Sequence, residues 1–359
     1  MAFFRAAQVI QDGLDARAFP ACVCEVGRAN GPVWSEARGR FTYDADAPRV
    51  LESTMFDLAS LTKVIATTSI VMRLVQRRVL AIDTRVADVF AGWRGADREG
   101  VTVGHLLDHS AGLPAHLRFW EHSRGRDEYL PVLLAAPIER APGTASVYSD
   151  VGFLLLGLLL EAIDGRRLDA QWDDLWASGP GEPWLGYRPG PAARPLIAPT
   201  EVKPSRGGLV QGVVHDENAE ALDGVAAHAG LFGSAAAVGA FASAILRSFH
   251  APTWLATPEL LRAFAARRSV PGSSRALGWD TMLPTSSCGT RLSPTAIGHT
   301  GFTGTSLWID WERDLYFVLL TNRVHPTRDN ETFLPYRARF HDAVMDDLRG
   351  HGPHPAPRG

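Results

Sequence analysis

Ser60 and Lys63 stand three residues apart in Phe56-Asp57-Leu58-Ala59-Ser60-Leu61-Thr62-Lys63. The apolar positions that follow, Val64, Ile65, Ile70, Val71, Leu74 and Val75, predict a helix. Side chains three apart share a helical face, so the Ser60 hydroxyl and the Lys63 amine can meet. A serine hydroxyl is a weak nucleophile until a neighbouring base takes its proton. A desolvated lysine can be that base, because burial lowers its pKa. The helix N-terminus adds a positive end that favours negative charge developing on the oxygen. A capping serine followed by a surface lysine would give the same four letters. Lysine usage argues for chemistry: of 36 Lys plus Arg, only Lys63 and Lys203 are lysine, and arginine cannot deprotonate in a protein.

Other residues offer partners. Tyr148-Ser149-Asp150 precedes an apolar run. A tyrosine there can pass a proton provided cations such as Lys63 lower its pKa; a packing tyrosine beside a helix cap is the alternative. His299-Thr300-Gly301, followed by Phe302-Thr303-Gly304, combines glycines that permit close approach with backbone N–H groups that can hold an oxyanion. An ordinary glycine-containing lead into a strand has the same letters. His105 and His109 share a helical face as a metal pair would, but no partner ligand is obvious and the turn after His109 explains it structurally. His215-Asp216-Glu217-Asn218 reads as a polar loop that either lines the site or does not. There is no G-x-S-x-G elbow and no G-x-x-x-x-G-K-[ST] loop, which disfavours an α/β-hydrolase or a P-loop enzyme.

The elements that must position these groups follow from periodicity and turn signals. A helix is predicted over about 2–18, and strands over 21–26 and 33–38 around the turn Asn30-Gly31-Pro32. Short helices are predicted over 83–90 and, capped by Thr102, over 103–109. Ser149 opens a helix that is apolar on every side through Leu160 and therefore buried. Residues 178–208 are rich in proline and glycine and show no periodicity; so long an irregular segment usually covers a site or carries function. A helix from Ser234 to about Phe249, strands over 305–310 and 315–321, and a final helix over 331–348 complete the chain. Strands at both ends with helices between them suggest one sheet built from both termini and an inserted helical lobe.

The whole chain sets wider bounds. Its 359 residues, 46% hydrophobic and 21% charged, suit a soluble globular protein, as one large domain or two lobes. A net charge of -3 gives no reason to expect nucleic acid or an anionic membrane as partner. Cys22, Cys24 and Cys288 form neither a disulfide framework nor a zinc set. The amphipathic N-terminus is not read as a signal peptide, and the run from Val151 to Leu160 is too short to span a bilayer, so the expected compartment is the cytoplasm.

Taken together, these pieces resemble the serine β-lactamase and penicillin-binding-protein superfamily, and within it the class C-like branch of β-lactamases, D-alanyl-D-alanine carboxypeptidases, D-aminopeptidases, esterases and acyltransferases. Ser60-Leu61-Thr62-Lys63 matches its S-x-x-K element and His299-Thr300-Gly301 its K-T-G element with histidine for lysine. Tyr148-Ser149-Asp150 matches Y-x-N with aspartate for asparagine, and Leu106 to Leu113 is similar to a helix-and-turn segment that accounts for the histidine pair without metal. The stretches 214–219 and 228–232 are similar to β-lactamase-like modules sometimes fused to glycosidases.

The resemblance implies an α/β (α+β) fold: an antiparallel sheet flanked by the N- and C-terminal helices, with an inserted mainly helical lobe. It implies a single catalytic domain over 1–359, a sheet lobe of about 1–65 and 225–350, and a helical lobe of about 66–224. Ser60 would attack an ester or amide carbonyl, Lys63 and Tyr148 would shuttle the proton, and the N–H groups of Ser60 and Phe302 would form the oxyanion hole. Asp150, His299, Thr300, Gly301 and Phe302 would line the substrate site. The departures carry meaning. Asp150 cannot donate to a carbonyl when ionised and can instead hold Lys63 as a cation, weakening the simple lysine-base role. His299 is expected to titrate near its ordinary value, about 6.5, and to recognise carboxylates better as pH falls. Both changes argue against efficient hydrolysis of β-lactam antibiotics. The implied reaction is hydrolysis of a small acyl substrate, or acyl transfer to an amine or alcohol, or ligand binding without turnover. It implies no metal or organic cofactor, no nucleic-acid or membrane partner, and a monomer or homodimer.

Overall fold

A computed structural model describes residues 3–350 of the chain. In it α1 (Phe4–Asp15), β1 (Ala21–Arg28) and β2 (Gly31–Gly39) come first. β3 (Phe56–Asp57) then leads through Ser60 into a π-helical turn, Lys63–Thr67, that continues as α2 (Thr68–Gln76). A mainly helical stretch follows: α3 (Val86–Val89), α4 (Val103–Leu107), α5 (Gly125–Leu134), α6 (Asp150–Asp164) and α7 (Leu168–Ala177). After it come β4 (Leu185–Tyr187), β5 (Val202–Lys203), β6 (Gly208–Leu209) and α8 (Glu217–Ala221). The chain ends with β7 (Leu231–Gly233), α9 (Ala235–Ser248), α10 (Pro258–Ala265), β8 (Asp280–Thr281), β9 (Ile297–Thr300), β10 (Ser306–Asp310), β11 (Leu315–Thr321) and α11 (Leu334–Arg349).

The main sheet is antiparallel, with six strands in the order β2-β1-β11-β10-β9-β8. Its two halves, from opposite ends of the sequence, join where β1 pairs β11 and Cys24 faces Leu319. Strand side chains alternate between faces. Cys22, Cys24 and Val26, with Leu315, Phe317 and Leu319, turn to one face and pack with Phe3, Ile10, Phe340 and Val344 of the terminal segments. Val23, Tyr316, Val318 and Leu320 turn to the other and join the larger core with Val238, Phe241 and Ile245 of α9. Each such side chain stabilises by ~1.5–3 kcal/mol when fully buried, so both faces of the sheet are held by covering helices. No helix among the described residues is long and apolar enough to cross a membrane.

The predicted strands at both termini and the helices capped by Thr102, Ser149 and Ser234 are present. Four differences are informative. The helix after Ser60 starts as a π turn, in which Thr68 donates both its N–H and its Oγ1–H to the Lys63 carbonyl. The Pro/Gly-rich segment 178–208 contains β4, which pairs β7 and, through it, β3 in a small second sheet. His215 to Asn218 is not all loop, because the Asp216 carboxylate caps α8 by accepting from the Ala219 N–H. His299 and Thr300 lie on a strand, β9, rather than ahead of one.

Candidate active site

Ser60 is reached through a backbone pinned on several sides. The buried Asp57 carboxylate accepts the N–H groups of Ala59 (2.8 Å) and His215 (2.7 Å). Thr303 and Thr305 donate their hydroxyls to the Asp57 and Leu58 carbonyls at 2.7 and 3.0 Å. Ala59, just before the serine, has φ +47°, a left-handed conformation that costs about 1–2 kcal/mol in a residue with a Cβ. A side chain at Gly301 would meet Leu58 O at 2.7 Å. Glycine is therefore required there for the segment after β9 to lie against the Ser60 turn. Neither the Ser60 nor the Phe302 backbone N–H donates to an acceptor among the described residues.

Lys63, on the π turn, is fully buried. Its Nζ donates to Ser60 Oγ at 3.0 Å, to Asp150 Oδ1 at 2.7 Å and to the His228 carbonyl at 3.3 Å, which uses all three of its protons. The ammonium also lies 4.7 Å from the centre of the Tyr148 ring. Burial pulls its pKa down, but Asp150 and Tyr148 outweigh burial and leave it above the ordinary lysine value. This corrects the expectation of a lysine neutralised by desolvation. Burial likewise presses on Asp150, and Lys63 then His116 overcome it, holding the carboxyl well below its usual range. Aspartate in the asparagine position thus makes the resting pair ionic.

Tyr148 Oη donates to Ser60 Oγ at 2.7 Å. Its ring lies between His109 (4.7 Å) and His299 (5.7 Å), with the Arg275 guanidinium 5.1 Å away. Its pKa is raised, chiefly by burial, which prevails over the lowering effect of Lys63, so the phenol keeps its proton and is placed as an acid rather than a base. His109 is a support: its Nδ1 accepts the Ser149 N–H at 3.0 Å. His105 Nδ1 accepts the Thr102 N–H at 3.2 Å, so the histidine pair is occupied in capping and packing.

His299 overturns another expectation. It is buried, and its Nδ1–H donates to the Thr300 carbonyl at 2.8 Å while Nε2 has no partner among the described residues. Burial, aided by Arg275 and Lys63, pushes its pKa well below the ordinary value, so it stays neutral where titration was expected. Positive charge at this end comes instead from arginine. Ser60, Tyr148, His299, Thr300, Gly301 and Phe302 line a cleft of about 270 Å³ together with Arg275, Arg323, Arg337 and one carboxylate, Asp280. None of the three arginines has an ion pair among the described residues. Arg323 and Arg337 hold the Phe302 and Gly301 carbonyls. Nothing in the sequence singled these three out, because arginine supplies nearly all of the chain's cations.

A second cleft, of about 640 Å³, opens on the other side of Ser60 and is lined also by Asp150, His116, Trp120, Asp216, Glu217 and Phe302. Asp216 pairs with His228 at 2.8 Å, and Glu217 pairs with Lys203 at 2.6 Å and Arg328 at 2.7 Å. His116 is a residue that sequence reasoning passed over; a lone histidine after a turn carries no spacing signal.

A family model described as Beta-lactamase matches residues 6–340. A protein of Escherichia coli (strain K12) that carries the provisional name D-alanyl-D-alanine carboxypeptidase is 30% identical over 310 residues, covering 76% of this chain and 70% of its own length. A Bacillus subtilis (strain 168) protein named N-acetylmuramyl-L-alanine amidase is 31% identical over 310 residues, 77% of this chain and 70% of that one. Among solved structures, EstCE1, a hydrolase with promiscuous acyltransferase activity, superposes with a TM-score of 0.73 over 95% of this chain and 97% of its own, at 20% identity. That last likeness is one of fold.

Proposed function

Because the chain belongs to the beta-lactamase family, we propose that it is a serine hydrolase that opens a small ester or amide through an acyl-Ser60 intermediate. One observation carries the reading: a single oxygen, Ser60 Oγ, is held 3.0 Å from Lys63 Nζ and 2.7 Å from Tyr148 Oη. Lys63 already holds its proton, so it accepts the one from Ser60 only as it passes another to Asp150 Oδ1. The Ser60 oxygen then bonds to the carbonyl carbon, and the unpaired N–H groups of Ser60 and Phe302 take the oxyanion. Tyr148 protonates the leaving group, and the proton returns from Asp150 through Lys63 to the tyrosine. Acyl-Ser60 is left with the ionic pair restored.

For the substrate, the arginine-lined cleft favours a carboxylate near the scissile bond, with Arg275 as the guanidinium free to meet it. The names of the two relatives both contain alanine amides, the class to be tried first. Transfer of the acyl group to an amine or alcohol is the second reading, favoured by the room in the wider cleft. We keep the cytoplasm as compartment on the three free cysteines. The test is intact-mass analysis after a fluorophosphonate, then turnover of short-chain esters and alanine amides with an acceptor panel. One adduct, on Ser60, with free acid released is the expected result. An adduct elsewhere, or full activity in Ser60→Ala, overturns the nucleophile; saturable transfer to one acceptor with acid release suppressed replaces hydrolase by transferase.

A further inference from the structure

Asp150 has a second oxygen, and it faces a second base. The segment Pro114–His116 is stitched to the start of α6: Ser149 Oγ donates to the Pro114 carbonyl at 2.6 Å, and the Asp150 N–H donates to the Ala115 carbonyl at 2.8 Å. Those two bonds leave the His116 ring beside the carboxylate, with Nδ1 3.8 Å from Asp150 Oδ2. The ring packs at 5.4 Å on Trp120, and its side chain is 42% exposed, in the wider cleft shared with Ser60. Nδ1 is turned to the carboxylate at ion-pair distance, longer than a hydrogen bond, which leaves Nε2 for the cleft. A carboxylate behind one imidazole nitrogen and open space before the other is the arrangement of a general base.

We propose that His116, oriented by Asp150, is the general base that activates the second nucleophile, water or an acceptor hydroxyl or amine, against acyl-Ser60. The proposal rests on the acyl-Ser60 reading above. His116 Nε2 takes a proton from the water O–H as the water oxygen bonds to the acyl carbon. The tetrahedral adduct collapses by breaking the bond to Ser60 Oγ, which recovers a proton from Tyr148. Tyr148 is refilled by Lys63, and His116 returns its proton to Lys63 through solvent, so acid leaves and the resting site is restored. The division of labour explains what aspartate adds at 150: asparagine could not stabilise the imidazolium. His116 shares the cleft with Asp150 on α6, Asp216 and Glu217 at the start of α8, Arg118 on its own loop, Asp57 beside the Ser60 turn, His215 and His228 on either side of α8, and Arg328 across the cleft. The carboxylates prevail, Asp150 first, and hold the imidazole pKa above its ordinary value. A base with such a value works best near neutrality.

The experiment is pre-steady-state turnover of a chromogenic acetate ester by the full chain, wild type against His116→Gln and His116→Asn. Leaving-group release reports acylation, and the later steady rate reports deacylation. Both variants should keep the burst while the steady rate falls about 100-fold, with acetyl-Ser60 accumulating by intact mass. The wild-type steady rate should fall as pH drops through a value above about 6.5, and that limb should vanish in both variants. An unchanged steady rate and limb overturns the proposal. So does equal loss of burst and steady rate, which would put His116 in the structure or in Ser60 activation. Absence of any acyl adduct in the wild type is a different result and removes the acyl-enzyme reading itself.

Discussion

On one side of Ser60 the cleft carries three arginines, none in an ion pair among the described residues, against the one carboxylate of Asp280; on the other, the acidic side chains already have partners. Arg275, Arg323 and Arg337 leave net positive charge facing Thr300 and Phe302. Asp150, Asp216 and Glu217 are matched by Lys63, His228, Lys203 and Arg328. Unmatched charge in a cleft is available to a ligand, whereas matched charge fixes the geometry of its neighbours. The first side is thus suited to recognition and the second to proton handling, with Ser60, Tyr148 and Phe302 common to both.

The sharpest way to break that division is Lys63→Arg. It keeps the charge facing Asp150 but ends proton transfer. Acylation should fall about 1,000-fold with circular dichroism unchanged; near-wild-type burst kinetics would mean that Lys63 supplies charge alone. Asp150→Asn should come next. It strands a buried ammonium, for which a loss of about 3 kcal/mol is expected at pH 7, read as a lower urea midpoint. The loss should shrink above the variant's lowered lysine pKa, where Lys63 folds neutral. A midpoint equal to wild type would show that the pair fixes nothing. On the recognition side, Arg275→Ala should weaken KM for a carboxylate-bearing ester about 10–100-fold, from the loss of ~1.5–3 kcal/mol for a charged hydrogen bond. A matched neutral ester should be unaffected, and equal effects on both would remove Arg275 from recognition.

A further test concerns the histidines that burial, aided by arginine, keeps neutral. Burial, then arginine, lowers the pKa of His109, His299 and His341, the last pushed down to about 3. Their folded values lie below the unfolded one, so below about pH 6.5 the unfolded chain binds the proton first. Their contribution is whole above that pH and is lost as pH falls towards the folded values, by up to ~1.4 kcal/mol per pH unit for each. Urea midpoints should therefore decline from pH 7 to pH 5; a flat profile would mean that these rings are not buried neutral.

What the sequence made legible was local. Ser60 with Lys63 is a spacing, Ser149 and Ser234 are caps, and the turn between β10 and β11 is a break in alternation; each is written within a few residues. The neutrality of His299 was not legible, because Tyr148, whose ring stands 5.7 Å from it, and the cations Arg275 and Lys63 that disfavour its charge are distant from it in sequence. The ionic state of Lys63 was half legible: Asp150 was visible as a possible counterion, but whether burial or the carboxylate wins depends on 2.7 Å between them. Lys203 shows the limit of arguing from rarity. The chain's other lysine is also buried and ion-paired, with Glu201 and Glu217, yet it does not contact Ser60.

The pairing of β1 with β11 has a consequence for synthesis. The Ala21 N–H is held by the Asn322 side chain, 301 positions along the chain. A growing polypeptide therefore leaves the ribosome with β1 and β2 as a two-stranded hairpin whose neighbour does not yet exist, and such a hairpin is at best marginal in water. Its Cys22, Cys24 and Val26 face stays wet until the last strand and α11 arrive. Closure of the central sheet waits for β11 and has slow, non-local kinetics, and a ribosome stalled before residue 315 carries a chain without that strand to complete it.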